Sequence, residues 1–511
     1  MSKFGLKFSI NVYALPFDDC DSKQKLDNVY LNSDSEDEIV NEIVEFDREY
    51  FGSDVLPVAQ SCVESTETKL TNKPKWEKYG TFTPQAYHFD SSKSGFRKAE
   101  FKLSEKSTIL DFFEAFVTPD LLRKIAHATN LYWDQFTVQQ PTASKNYNWT
   151  DTDVSEMYVF LALTMGMLNS YNVKDFWDKY SFFSRPSLNF HMSYERYSLI
   201  LKMLHFSINE DRKPKDCLLK IRMPLEDITN NFKNATIPNE NLAIDASFVL
   251  WEEPMDVRQF HNNHPQYSGL KVFALVDIQT DFIVNLLVYT GIETEFHEVD
   301  SNLGISGNVV NTLMEPFLYK GYKLFINSLY VTPLLAKFLL KKYTNMTGSV
   351  KENRYDIPKL KWNLKAGQTD SNHTDTMLVI KTKYPGYNYM LTTQFEDRQD
   401  IVGKPHLHGY DITKPLSLNK YIEYMKFIDN SEALLCPLEV LMKNLKWYKK
   451  LFFHLIDLCL LNAFSSYKTI TRNSISLIEF HCNLIHQILK KYSTKCCAHH
   501  NGDSVYGIPE I

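Results

Sequence analysis

The chain has 511 residues, of which 44% are hydrophobic and 14% aromatic, so it can bury the cores of two or three domains. Its 17 glycines and 20 prolines argue against a fibrous or low-complexity protein, and no apolar run approaches the length of a membrane span. Eight cysteines in so long a chain do not indicate a disulfide framework, and the net charge of −6 restricts any DNA-binding surface to a local basic patch.

Residues 1–100 combine charged and turn-forming clusters with little sustained periodicity. Acidic residues concentrate from Asp34 to Glu49, a composition typical of a solvated segment. The opening Met1–Val12 segment has too short an apolar run for a signal peptide. The low cysteine content fits a reducing, intracellular compartment. We therefore expect an acidic, largely disordered N-terminal region over residues 1–100.

Helical spacing of apolar residues begins at Ser107. Thr118 followed by Pro119 is typical of an N-cap with proline at the first helical position. The stretch from Thr152 to Gly166 is apolar nearly all round and predicts a buried helix. With further helices near 173–180 and 193–206, residues 107–235 are predicted to form a helical domain.

The pattern shifts towards strands at Leu242. Predicted strands cover 242–251, 270–277, 282–289 and 323–330, with helices near 309–318 and 333–343 and further β-like segments between 377 and 393. This order indicates a mixed α/β domain over residues 240–430, with a central sheet flanked by helices. Helical spacing returns over 434–490, and 491–511 form a short tail.

One carboxylate, Asp245, stands in the middle of the first apolar strand. A strand that presents an acid to a metal ion needs partner acids on neighbouring strands. The later apolar run, from Tyr322 to Tyr330, carries none. The pattern indicates the scaffold of a metal site that has lost most of its ligands.

Several segments, taken together and in order, resemble the piggyBac transposases and the host proteins derived from them. They are Phe116–Leu122 with Thr129–Tyr132, Trp149 to Met157, Phe176-Trp177, Arg196–Phe206, Ile244-Asp245, Gly269–Lys271, Tyr289–Gly291, Gly348 with Asn353-Arg354 and Pro358, Lys446–Lys450, and Asn462-Ala463. The resemblance implies an RNase H-like catalytic core with an insertion, preceded by a dimerisation and DNA-binding helical domain. It also implies a nuclear protein that acts as a dimer.

Members of this family that move DNA resemble other transposases in holding two Mg²⁺ ions with three aspartates. Asp245 matches the first aspartate. The second falls on Ile326 or, with an alignment shifted by one residue, on Asn327. The third falls on Leu418 or Asn419. Because one acid of three is present, the resemblance implies a protein without strand-cleaving activity, which requires no cofactor.

Two alternatives remain open. An active cut-and-paste transposase would bind Mg²⁺ through a rearranged acid set, with Asp277 or Asp411 in place of the missing ligands. A decaying element would encode a product without a selected role. In the leading interpretation the chain is a nuclear DNA- or chromatin-associated or protein-interaction module, with neither a membrane nor a small molecule as its partner.

Basic residues that would contact DNA are Lys271, Lys351, Arg354, Lys446, Lys449 and Lys450. The family's cysteine-rich zinc module should follow the last helices. Candidate ligands by residue type are His481, Cys482, His486, Cys496, Cys497, His499 and His500, but the paired Cys-x-x-Cys spacing is missing. We expect this module to be truncated or absent, and no metal site is predicted.

Overall fold

The computed structural model describes residues 73–145, 147–167, 176–177, 190–207, 216–250, 269–365, 367–383, 386–401, 413–434 and 445–493. Its α-helices longer than four residues are α1 Ile109–Glu114, α2 Pro119–Gln139, α3 Val154–Gly166, α4 Tyr194–Met203, α5 Arg222–Ala235, α6 Gly304–Met314, α7 Pro333–Lys341, α8 Leu416–Leu434, α9 Trp447–Thr471 and α10 Leu477–Ile488. Its strands are β1 Gly95–Phe96, β2 Thr236–Ile237, β3 Asn241–Leu250, β4 Gly269–Asp277, β5 Phe282–Tyr289, β6 Lys323–Ile326, β7 Asn345–Ser349, β8 Thr369–His373, β9 Leu378–Lys383, β10 Tyr387–Thr392, β11 Gln399–Ile401 and β12 Thr413–Pro415.

The helix starts follow the capping signals of the sequence. The Thr118 side chain accepts a hydrogen bond from Leu121 N, and Pro119 opens α2. Asp153 caps α3 in the same way through Glu156 N, and Ser193 caps α4 through Arg196 N. The all-round apolar sequence of α3 is buried along almost its whole length, as predicted.

The helices that precede the central sheet in the sequence pack against the helices that follow it. The ring centroids of Phe112 on α1 and Tyr467 on α9 are 5.4 Å apart. Tyr158 on α3 stacks on Tyr492 at 4.4 Å, and Leu110 N donates to Gln487 Oε1 on α10 at 2.9 Å. The regions 107–235 and 434–490, predicted as separate, therefore share a core.

An eight-stranded sheet, in the order β5-β4-β3-β6-β7-β10-β9-β8, forms the centre of the molecule. Strands β5, β4 and β3 are antiparallel neighbours, whereas β6 and β7 run parallel to β3. The remaining three strands extend the sheet with antiparallel pairs, because β10 pairs with β7 and β9, and β9 pairs with β8. This arrangement places β3, which carries Asp245, between two strands in the middle of the sheet.

Residues 73–100 pack against the rest of the described fold, whereas the sequence predicted a largely disordered region up to residue 100. Phe82 is buried, β1 pairs with β2, and the ring centroids of Phe89 and Tyr322 are 4.9 Å apart. The aromatic side chains are spaced without a regular period because they pack against the sheet individually. Residues 1–72, with the acidic cluster, lie outside the described residues.

Candidate catalytic site on the central sheet

Asp245 lies on the face of β3 that α8 and α9 cover. Alternate residues of a strand point to opposite faces of a sheet, so Asp245 shares its face with Ala243 and Ser247. Ala243 is buried in a small cluster with Phe325, against which Tyr424 of α8 packs. On its other side along the strand, the Ser247 hydroxyl lies 2.9 Å from Nε2 of His454 on α9. The half-buried Asp245 carboxylate is therefore placed between two helices.

The register of β3 and β6 distinguishes the two alignments for the second acid. In the observed register, residues 241–243 of β3 pair in parallel with residues 323–325 of β6, so that Ala243 lies opposite Phe325. Continued by two residues beyond Ala243 and Phe325, the register brings Asn327 beside Asp245 on the same face. Ile326 is fully buried in the main core on the other face. The register therefore favours Asn327 over Ile326 as the position next to Asp245.

Asn327 already has a structural role in the turn that follows β6. Its Oδ1 accepts a hydrogen bond from Leu329 N at 3.0 Å, and its carbonyl oxygen accepts one from Tyr330 N at 3.2 Å. Arg354 supports the same turn, since its guanidinium donates to the carbonyls of Leu329 at 2.8 Å and Val331 at 3.2 Å. Arg354, predicted to contact DNA, is half-buried and makes these contacts within the protein.

The two candidates for the third acid position lie in the first turn of α8. Leu418 is 2% exposed, and the neighbouring Asn419 is half-buried. The helix crosses the same face of the sheet, where Tyr424 meets Phe325 with ring centroids 4.6 Å apart. The sequence predicts no helix in this segment, yet α8 brings the third position to the Asp245 face of the sheet.

Asp277 does not compensate for the missing acids at this position. It pairs with Leu242 across β3 and β4, so its side chain lies on the opposite face, three residues along the strand from Asp245. The buried Asp277 carboxylate accepts hydrogen bonds from Asn239 N at 3.0 Å, Asn239 Nδ2 at 2.9 Å and Gln279 N at 3.0 Å. Asp411 lies outside the described residues.

The donor set around Asp245 does not fit a pair of magnesium ions. Mg²⁺ requires hard oxygen ligands in octahedral geometry, and a two-metal centre requires several carboxylates to offset its charge. The neighbouring positions hold an amide and either a hydrocarbon or a second amide. Across the described ranges of the chain, no group of three or more His, Cys, Asp or Glu side chains is arranged to hold a metal ion.

Among the described residues near the C-terminus, the histidines and cysteines considered as zinc ligands form no such group either. On α10, burial lowers the pKa of the half-buried His481 to about 4, whereas Cys482 is exposed. Cys496, Cys497, His499 and His500 lie outside the described residues.

The basic residues predicted to contact DNA occupy different environments. Lys449 is buried, and its ammonium donates to the carbonyls of Leu201 at 2.7 Å and Lys202 at 2.8 Å, at the end of α4. Burial, with a smaller effect of the Lys446 charge, lowers the pKa of Lys449 to about 7. Lys450 is also buried, whereas Lys446 is exposed at the start of α9.

The other two predicted lysines are half-buried. Lys271 on β4 pairs with Phe248 and so points to the face opposite Asp245, where its ammonium lies 5.4 Å from the Phe273 ring. Lys351 follows β7. The six predicted residues therefore do not form one solvent-facing surface.

Comparison with known proteins agrees with this architecture. A family model described as Transposase IS4 matches residues 109–464, most of the chain, so the chain belongs to this transposase family. PiggyBac transposable element-derived protein 5 of Homo sapiens is 21% identical over 383 residues, which are 72% of this chain and 72% of that protein. PiggyBac transposable element-derived protein 2 of Homo sapiens is 20% identical over 441 residues, covering 82% and 70%.

The fold also matches a solved structure. The cryo-EM structure of a piggyBac transposase synaptic complex with hairpin DNA aligns with a TM-score of 0.64 at 18% identity, covering 79% of this chain and 84% of that one. These matches confirm the resemblance to piggyBac transposases and the expected mixed α/β fold with an RNase H-like core. No helix within the described residues is long and apolar enough to cross a membrane.

Proposed function

We propose that this chain is a piggyBac-transposase-derived protein that does not cleave DNA and acts in the nucleus as a self-associating module bound to DNA, chromatin or protein partners. The observation that carries the proposal is the chemistry beside Asp245. The β3–β6 register, continued two residues past Phe325, places Asn327 next to it, and the first turn of α8 offers Leu418 and Asn419. These side chains supply no second carboxylate.

The physical argument concerns charge and ligand type. Two metal ions held about 3.5–4 Å apart carry a charge that several carboxylates must offset. Conversely, carboxylates a few ångströms apart repel one another when no metal is bound. Neutral replacements at the second and third positions therefore favour the folded chain once cleavage is no longer selected.

The proposed association with DNA rests on the family and on the structural neighbour, which is a complex with hairpin DNA. The resemblance also supports the proposals of self-association through the helical region and of nuclear localisation. Lys446 is exposed and is available for a phosphate contact, whereas the burial of Lys449 and Lys450 excludes them from such a surface in this conformation.

A cleavage assay tests the loss of activity. The full chain is incubated with hairpin-forming DNA ends and Mg²⁺ or Mn²⁺, with an active piggyBac transposase on its own ends as positive control. We expect no specific nicking. Specific nicking that disappears in Asp245→Ala would overturn the proposal and establish an active enzyme with a different acid set.

A salt titration tests the DNA association separately. We expect measurable affinity for duplex DNA at low salt that falls steeply as salt increases, since phosphate contacts release counterions. Affinity below detection even at low salt would contradict DNA binding and leave protein partners as the basis of the module. Size-exclusion chromatography with light scattering measures the proposed self-association, and a monomer at all concentrations would contradict it.

A further inference from the structure

A basic surface with exposed aromatic rings lies beyond the β8 edge of the sheet, away from Asp245. It is formed by residues 73–79 and 355–365, which we call the basic aromatic surface. Its lysines are Lys73, Lys75, Lys78, Lys359, Lys361 and Lys365, and its acids are Glu77 and Asp356. In a chain of net charge −6, this is a local excess of positive charge.

Hydrogen bonds and an ion pair connect the two segments, in part through Asp370 of β8. The buried Asp370 carboxylate lies 3.3 Å from Lys78 Nζ and accepts a hydrogen bond from Lys361 N at 2.8 Å. Trp76 Nε1 donates to the Asp356 carbonyl at 2.8 Å. The first segment is also fixed to the sheet edge, because Glu77 and His373 form an antiparallel bridge.

Aromatic rings project from this surface into solvent. Tyr79 is 86% exposed, Trp362 81% and Tyr355 70%. The conformation around Trp362 is set by the buried Leu360 and Leu364, between which Lys361, Trp362 and Asn363 face outward. An exposed indole held between two anchored leucines has its ring available to a ligand.

We propose that the basic aromatic surface binds single-stranded DNA, with unpaired bases stacked on Trp362 and Tyr79 and phosphates contacted by Lys361 and the neighbouring lysines. Charge complementarity requires a polyanion, and exposed flat rings favour one with unpaired bases. Bases within a duplex are already stacked, whereas the bases of a single strand can stack on aromatic side chains whatever their sequence. This inference rests on the proposed DNA association and adds the form of DNA and the surface that binds it.

The test compares single-stranded and duplex DNA of the same mixed sequence. Fluorescence anisotropy measures the affinity of the full chain for each labelled DNA at low salt. We expect Trp362→Ala to weaken single-strand binding about 5- to 100-fold, with a much smaller effect on the duplex. Phe190→Ala is the matched control, because Phe190 is 78% exposed outside this surface, and it should leave both affinities unchanged.

Two further measurements separate stacking from charge. Lys361→Glu should weaken single-strand binding and reduce the salt dependence, whereas Lys106→Glu, an exposed lysine outside the surface, should change neither property beyond the effect of net charge. Single-stranded DNA should also quench tryptophan fluorescence less in Trp362→Ala than in the unaltered chain. Thermal melts of all variants check that the fold is intact.

Each of the remaining outcomes would contradict the single-strand inference, one part of it, or both proposals. Wild-type single-strand affinity in both Trp362→Ala and Lys361→Glu, with duplex binding retained, would overturn this inference and leave the proposed DNA association standing. Equal losses on single strand and duplex would overturn the stacking role. Tighter binding of RNA of the same sequence would overturn the assignment to DNA, and absence of binding to either DNA would contradict both proposals.

Discussion

Restoring the second acid tests the geometry around Asp245. Asn327→Asp changes an amide to a carboxylate of the same shape and keeps an oxygen acceptor for Leu329 N. Neighbouring strands are roughly 4.8 Å apart, so the new carboxylate would lie about 5 Å from that of Asp245. At an effective dielectric constant of about 20, two unit charges at that distance repel by about 3 kcal/mol.

We therefore expect Asn327→Asp to lower the melting temperature by several degrees in the absence of divalent cations. Mg²⁺ or Mn²⁺ should recover part of this loss, because an ion between the two carboxylates binds the folded state alone. The double variant with Asn419→Asp should recover more. Differential scanning fluorimetry over a metal titration gives the shift, and calorimetry gives the affinity.

Ile326→Asp is the matched control for the strand register. It places the same charge one residue earlier, in the main core on the opposite face, so it should destabilise the protein strongly without any recovery by metal. Recovery in Ile326→Asp but not in Asn327→Asp would refute the assigned register. Metal-dependent stabilisation of the unaltered chain, lost in Asp245→Ala, would refute the view that its ligand set is incomplete.

Other residues give independent predictions. Burial lowers the pKa of His454 from 6.5 to about 4, so the folded protein favours the neutral imidazole. The free energy of unfolding should therefore fall by about 3 kcal/mol as the pH decreases from 6.5 to 4, because the unfolded chain binds the proton more tightly. Chemical denaturation at several pH values should show a smaller loss in His454→Asn, and an unchanged pH dependence would contradict this. Lys446→Ala should reduce the salt slope of duplex binding by about 1, whereas the buried Lys449→Met should leave it unchanged, and an equal reduction in both would refute the distinction. Gly348→Ala should lower the free energy of unfolding by about 3 kcal/mol or more, because the new Cβ would lie 2.1 Å from the Ile326 carbonyl oxygen at the end of β6. Gly166→Ala, with open space around the new carbon, should leave the free energy of unfolding unchanged or raise it, as measured by denaturant titration.

Local sequence was sufficient to predict elements whose signals lie within the element itself. The N-cap at Thr118 and the apolar composition of α3 gave those helices correctly. The β4–β5 hairpin was predicted with nearly the observed bounds because its alternation and turn residues are contiguous. The short β7 and the helix α8 were missed, since their stability comes from packing on neighbouring strands and not from a strong periodic pattern.

The candidate site shows the same division. The sequence predicts one acid, Asp245, without its two partners, because residue types and their order are enough to count carboxylates. Whether Ile326 or Asn327 lies beside Asp245 depended on the parallel register of β3 and β6, which joins residues about 80 positions apart. Likewise, the sequence does not distinguish Lys446 from Lys449, which carry the same type of side chain. The packing of α9 against the end of α4 buries Lys449 and leaves Lys446 exposed to solvent. A side chain's chemistry is local, but its neighbours and its access to water are set by contacts between distant segments.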